Sequence, residues 1–172
     1  MAQLQQIQVK FSASEDRLLL RVSSDDDLEY RFWITRRFVN LIWPTILKSL
    51  ATTPSIKMQT SPQAKKEVLA FEHQKAVSNS DFKTQYKETA KTLPLGEQPI
   101  LLAKLQVRRK ADGLMVMALA PENGVGIDLT LNVGLLHSLA ELISNSVRIA
   151  EWDLQTPIKS PTAEAAAKVT IN

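Results

Sequence analysis

The sequence predicts an α+β protein built from two pseudo-symmetric β-β-β-α units joined by a helical linker. Twice along the chain, three short segments with alternating apolar residues precede a longer segment with helical apolar spacing. The second passage follows the first at an offset of 97 residues, so that Asn132 stands where Thr35 stands. Between them lies a segment with helical features but no strand pattern. Two similar meanders with their helices are therefore expected in one chain.

The first unit, about residues 5–51, begins with three predicted strands. "IQVKF" and "RLLLRV" carry alternating or continuous apolar residues, and "SASED" between them is typical of a turn. In the third strand, "LEYRFWI", alternation directs Phe32 and Ile34 to one face and Arg31 and Trp33 to the other. An antiparallel meander with one apolar face is the expected result.

The helix of the first unit is predicted to start after Thr35, whose hydroxyl is suited to accept a hydrogen bond from a free N–H of the first turn. Pro44 lies inside this helix, lacks a backbone donor and clashes with the carbonyl four residues earlier. The sequence therefore predicts that the helix bends or breaks near Leu41–Pro44.

A helical linker is predicted at about residues 61–90. Ser61 followed by Pro62 is typical of a helix start, with an N-cap and a proline in the first turn. The most regular helical pattern covers residues 62–78, and "TLPLGEQP" predicts an extended connection to the second unit.

The second unit, about residues 99–150, repeats the order of the first. "PILLAKLQV" is predicted to be one strand, "LMVMALA" is apolar on both faces and so predicted to be central, and "IDLTL" alternates. Gly113 can adopt the positive φ that the "RRKADG" turn favours. Asn132 is the predicted N-cap of a helix that extends to about Val147.

Corresponding positions of the two units carry similar residues, which favours an internal duplication. The matched pairs are Phe32 with Leu129, Ile34 with Leu131, Thr35 with Asn132, Phe38 with Leu135, Val39 with Leu136, Ile42 with Leu139, and Ile46 with Ile143. The alternative is that any meander followed by a capped helix shows this pattern. Because each helix has one apolar stripe, both are expected to cover one face of a shared sheet.

One globular domain is expected over residues 1–155, with a flexible C-terminal tail at 156–172. The 172 residues are 44% apolar, which suits a single packed core, and there is no cysteine for disulfides or thiolate chemistry. No signal peptide and no membrane-spanning segment are recognisable, so we expect a cytoplasmic protein without a membrane partner.

The net charge of +3 is spread along the chain. Residues 1–52 carry seven basic and six acidic groups, and residues 99–154 carry five and six. A nucleic-acid-binding protein usually concentrates its basic residues in an arm or stripe. The charge alone therefore favours no nucleic-acid function.

No nucleophile elbow, phosphate loop, dinucleotide fingerprint or metal-ligand spacing occurs. His73 and His137 both lie in predicted helices, and Glu141 follows His137 by four residues. Two ligands without a third favour buried or rim histidines over a metal site. We therefore expect neither catalytic residues nor a cofactor, and a non-enzymatic protein.

Aromatic and basic residues form the predicted interaction surface: Arg31, Trp33, Arg36, Arg37, Arg108 and Arg109. Three interpretations are open for Trp33: packing under the 62–78 helix, anchoring a protein interface, or stacking on unpaired bases. The favoured function is a protein-interaction or assembly module that binds a protein partner or itself. The alternative is single-stranded nucleic-acid binding through a basic and aromatic sheet face. Proteins of the Whirly type bind single strands with duplicated sheet-plus-helix modules, but they have four strands per unit, whereas three are predicted here.

Overall fold

The computed structural model describes residues 3–88, 92–156 and 158, which form an α+β fold with two sheets and four helices. In chain order the elements are β1 (Leu4–Ser12), β2 (Arg17–Ser24), β3 (Glu29–Ile34), α1 (Arg36–Ala51), α2 (Pro54–Lys57), α3 (Pro62–Asn79), β4 (Ile100–Leu101), β5 (Lys104–Arg109), β6 (Met115–Ala120), β7 (Ile127–Leu131) and α4 (Val133–Ile149). The α+β class is confirmed, and both predicted meanders are present.

The strands form two sheets, so the prediction of one shared sheet is wrong. Sheet 1 has the order β1-β2-β3-β4, and sheet 2 has the order β5-β6-β7. The predicted strand "PILLAKLQV" is divided between them. The N–H of Leu102 donates to the carbonyl of Trp33 in sheet 1 (3.0 Å), whereas the N–H of Ala103 donates to that of Ala120 in sheet 2 (3.0 Å). The chain thus passes from one sheet to the other between adjacent residues, and buried Leu102 lies at the transfer point.

The three predicted helix starts are confirmed by their side-chain caps. Thr35 Oγ1 accepts from the N–H of Phe38 at 3.1 Å, and Ser61 Oγ accepts from that of Ala64 at 3.1 Å. Asn132 Oδ1 accepts from the N–H of Leu135 at 2.8 Å. These contacts are local in sequence, because each cap needs only its own side chain and the first turn of its helix.

The helix α1 is not broken at Pro44, which lies inside a continuous helix of 16 residues. Pro44 is exposed, while Ile42 and Trp43 before it and Ile46 after it are buried in the core. Burial on both sides of the proline holds the helix together where its own hydrogen bonding is weakened.

The predicted linker of residues 61–90 is helical from Pro62 to Asn79, and residues 81–88 are irregular. Residues 89–91 and the predicted tail, apart from Thr156 and Ile158, lie outside the described residues.

The helix that ends each unit packs against the first strand of the other unit's meander. The helix α1 contacts β5, α4 contacts β1, and the two helices contact each other. The inner faces of both sheets and the apolar stripes of both helices form one hydrophobic core. The element order repeats at the predicted offset, with α1 starting at Arg36 and α4 at Val133. The duplication itself stays a prediction.

Candidate functional site

The face of sheet 1 that points away from the core carries a row of polar side chains. In the strand register, Gln8 of β1 is paired with Arg21 of β2, which is paired with Arg31 of β3. Phe32 and Ile34, which point to the opposite face, are fully buried in the core, so the predicted alternation of β3 is confirmed. We call the polar side the outer face of sheet 1.

Residues 86–88, here called the covering segment, lie across this outer face. The hydroxyl of Tyr86 donates to Glu29 Oε2 at 3.0 Å, and the N–H of Lys87 donates to Gln6 Oε1 at 3.1 Å. As a result Arg21 and Glu29 are only 8% and 2% exposed, although both lie on the polar side of the sheet.

Arg21 is the centre of a charged cluster. Its Nε and Nη2 donate to the two carboxylate oxygens of Glu29 at 3.0 and 3.2 Å. Its Nη1 and Nη2 donate to the carboxylate of Glu88 at 2.5 and 2.9 Å. The ring of Tyr86 lies 4.3 Å from the guanidinium carbon, within cation–π range. Glu29 also accepts from Arg31 Nε at 2.6 Å.

The cluster keeps its two carboxylates ionised and its phenol neutral. Burial acts to raise the pKa of Glu29, but the hydrogen bonds from Arg31, Arg21 and Tyr86 outweigh it and lower this pKa below 4.5. The hydrogen bond from Arg21 lowers the pKa of Glu88 as well. Burial and the nearby Glu29 carboxylate raise the pKa of Tyr86 to about 12. Near neutral pH the site therefore holds two carboxylates, two guanidinium groups and a neutral phenol.

A cleft of about 610 Å³ lies beside this cluster, within the usual volume range of small-ligand sites. It is lined by residues 4–8 of β1, by residues 79–86, and by Leu135, Ser138, Leu139 and Leu142 of α4. Phe82 and Leu135 are partly exposed apolar side chains in its wall. Gln8 and Tyr86 line the cleft and also contact Arg21.

The strand that lines the cleft is the outermost strand of its sheet. Strand β1 pairs with β2 on one side, and among the described residues no strand pairs with its other side. The carbonyl of Val9 accepts from Ser146 Oγ of α4 at 3.1 Å and so points away from β2. Since backbone groups of residues two apart point to the same side of a strand, the N–H and C=O of Ile7 point to the open edge.

Two of the sequence-predicted surface residues lie on the same outer face. Arg31 is half-buried, donating to Glu29 and, at 3.4 Å, to the carbonyl of Glu97. Trp33 is half-buried beside Leu19 and Leu101, its partners in the neighbouring strands. The covering segment lies over Arg21 and Glu29 on this face, whereas α3 packs mainly against α4.

The other four predicted residues lie in two separate places. Arg36 Nη2 contacts Asp16 at 3.4 Å at the start of α1, next to exposed Arg37. Arg109 Nη1 donates to the carbonyl of Thr52 at 2.6 Å, just past the end of α1. A helix of 16 residues is about 24 Å long, so these two basic groups do not form one patch.

Arg108 lies on the outer face of sheet 2. Its Nη2 contacts Asp128 Oδ2 at 3.4 Å across the sheet. Like Arg31, Arg36 and Arg109, it already has a partner inside the protein.

The structure also brings together two histidines that the sequence places 64 residues apart. Nδ1 of His73 on α3 lies 3.2 Å from Nδ1 of His137 on α4, and Nε2 of His73 lies 3.0 Å from Glu141 Oε2. Both rings are buried, as predicted. Within residues 3–88, 92–156 and 158 no group of three or more metal-binding side chains is found.

Sequence reasoning did not identify the cleft or the Arg21 cluster. The cluster depends on Tyr86 and Glu88, which lie 57 and 67 residues from their partners. A usable local signal was present: Arg21, Glu29 and Arg31 occupy outward positions of adjacent strands, where opposite charges form cross-strand pairs.

Comparison with known proteins finds no matching family model, no similar curated protein and no similar solved structure. Among the described helices, none has the length and apolar composition needed to cross a membrane.

Proposed function

We propose that this protein is a non-enzymatic interaction module that binds an extended segment of a partner protein in the cleft beside β1. The observation that carries the proposal is the position of an outermost strand, with the backbone of Ile7 directed outward, next to an apolar wall from α4. An added strand would obtain main-chain hydrogen bonds from the strand edge and side-chain contacts from the wall.

The dimensions fit a short peptide. Residues 4–8 of β1 extend over about 17 Å at the usual rise of a strand. The register of β1 shifts between Leu4 and Gln6, so regular pairing would start at Gln6 and end where Ser146 binds Val9. Such a short stretch of strand pairing provides few main-chain hydrogen bonds. Most of the binding free energy must then come from apolar side chains of the peptide against Leu135, Leu142 and Phe82.

Peptides selected from a random displayed library, measured by fluorescence anisotropy, test the proposal. We expect alternating apolar sequences, and protection of the amides of β1 from hydrogen exchange when such a peptide is bound. Leu135→Glu places a charge in the cleft wall and should weaken binding by about tenfold or more.

Ile149→Glu is the matched control, because Ile149 is also an exposed apolar residue of α4 but does not line the cleft. The Ile149→Glu variant should bind the selected peptides as tightly as the wild type does. Equal losses in the two variants, or failure to select any peptide, would rule the proposal out. Concentration-dependent self-association that Leu135→Glu removes would instead identify a second copy of this chain as the occupant.

Single-stranded nucleic acid is the alternative ligand from the sequence. Arg31, Arg36, Arg108 and Arg109 each have internal partners that a phosphate would have to replace. A mobility shift that weakens steeply with salt and is lost in Arg36→Ala/Arg37→Ala would favour this alternative.

A further inference from the structure

The Arg21 guanidinium has two carboxylate partners with different surroundings. The Glu29 side chain is 1% exposed and also accepts hydrogen bonds from Arg31 and Tyr86. The Glu88 side chain is 68% exposed and contributes a bidentate pair on the other edge of the guanidinium. Glu29 is therefore part of the folded core of the site, whereas Glu88 is an accessible counter-ion.

Removing Glu88 would leave an unbalanced positive charge. Arg21 and Arg31 would then share the single carboxylate of Glu29 in a largely buried place. Another carboxylate could take the position of Glu88 with the same bidentate geometry, which is the arrangement that arginine favours. Because one carboxylate replaces another, the exchange conserves both charge and hydrogen bonds.

This position adjoins the cleft. Arg21 Nη1 lies 3.4 Å from Gln8 Oε1, and the Tyr86 ring packs over the guanidinium. Gln8 and Tyr86 both line the cleft, so a ligand along β1 passes within reach of the edge of Arg21 that Glu88 occupies.

We infer that Arg21 is a carboxylate-binding residue at the end of the cleft, and that Glu88 occupies it until a carboxylate of the bound peptide takes its place. The identity of the ligand as a peptide rests on the proposed function; the carboxylate site does not.

The carboxylate site is tested first with sodium acetate on the full chain. The Nε–H resonance of Arg21 is followed by NMR in the wild type, in Glu88→Gln and in Glu122→Gln, which changes an exposed glutamate of the β6–β7 turn. Acetate should shift the resonance saturably in Glu88→Gln, with a midpoint about tenfold or more below that of the other two proteins. Sodium chloride at equal ionic strength should not reproduce the shift. Equal responses in all three proteins, or none in Glu88→Gln, would overturn the inference.

Peptides then distinguish the source of the carboxylate. Two peptide libraries are compared for binding to the wild type and to Glu88→Gln. The peptides of one library end in a free carboxylate, and those of the other end in an amide. Preference for the free acid identifies a C-terminal carboxylate, whereas enrichment of Asp or Glu in the amide library identifies a side chain. Peptide binding without a carboxylate preference contradicts the inference and leaves the proposed function intact. An acetate site without peptide binding supports the inference and contradicts the proposed function.

Discussion

His73, His137 and Glu141 form a hydrogen-bonded chain between α3 and α4. An ionised carboxylate accepts only, so Nε2 of His73 donates to Glu141. With His73 neutral, its Nδ1 must then accept from Nδ1–H of His137. This leaves Nε2 of His137 buried without a hydrogen-bond partner among the described residues. A further proton on His137 would have to be placed there, away from water.

Stability is therefore expected to fall between pH 6.5 and about 4 because of His137. Burial, and secondarily the electrostatic effect of the neighbouring His73 ring, lower the pKa of His137 from 6.5 to about 4. In this window the unfolded chain binds a proton that the folded protein does not, so lowering the pH favours unfolding by up to roughly 3 kcal/mol. Urea unfolding at pH 7 and pH 5 measures the difference.

His137→Asn is the informative variant, since its amide can still donate to His73 but does not titrate. We expect a smaller stability at pH 7 and a flatter pH dependence above pH 5. A wild-type slope in this variant would assign the titration to another group. Glu29 and Glu88 have lowered pKa values, so they stabilise the folded protein above pH 4.5. Their contribution to stability is lost only as the pH falls below 4.5.

At the residue scale, the sequence predicted the direction of side chains but not their surroundings. The alternation of β3 predicted that Arg31 and Phe32 lie on opposite faces of the strand, which is correct. The sequence could not show that Tyr86 would cover Glu29, or that His73 would meet His137. Both contacts join residues more than 50 positions apart, and they depend on how the linker returns over the sheet and helices.

At the element scale, the caps were predictable and the partition of the strands was not. A cap such as Thr35 acts within one turn, and alternation acts within one strand. The split of the predicted strand at Leu102 arises because β3 and β6 compete for adjacent backbone groups of the same segment. No property of that segment alone indicates where one sheet ends and the other begins.

Pro44→Ala should stabilise the protein by about 1–3 kcal/mol. Alanine has the higher helix propensity and restores the N–H that the turn lacks. Trp43 is already buried in the core, so its fluorescence maximum should not change. Urea unfolding and emission spectra measure the two effects together.

Lys48→Ala, at an exposed position one turn later, controls for the helix propensity of alanine. It should change the free energy of unfolding by less than about 0.5 kcal/mol. If Pro44→Ala is no more stable than the wild type, Pro44 does not lower the free energy of unfolding. A shifted emission maximum would instead show that the proline determines the position of Trp43.

At the scale of the whole molecule, the two halves form one core because the helix of each half packs on a strand of the other half. Because α1 contacts β5 and α4 contacts β1, neither meander can bury its inner face with its own helix alone. The sequence predicted one domain from length and composition. It did not indicate this packing, since a helix that follows its own strands has the same apolar stripe as one that packs on others.

We expect the chain to unfold in a single cooperative transition. All three tryptophans lie in or against the first unit: Trp33 and Trp43 belong to it, and Trp152 packs edge-on against Phe11 at a ring separation of 6.1 Å. Leu131→Ala removes a fully buried side chain from β7 in the second half and should cost about 2–5 kcal/mol.

If the core is shared, Leu131→Ala must lower the urea midpoint of tryptophan fluorescence as much as that of far-ultraviolet circular dichroism. Ile34→Ala, at the corresponding buried position of β3, is the matched variant and should shift both signals equally as well. If the halves were independent, Leu131→Ala would lower the circular-dichroism midpoint and leave the fluorescence transition in place. Coincident shifts in both variants are expected, because the helix that follows Leu131 is the one that closes the core against β1.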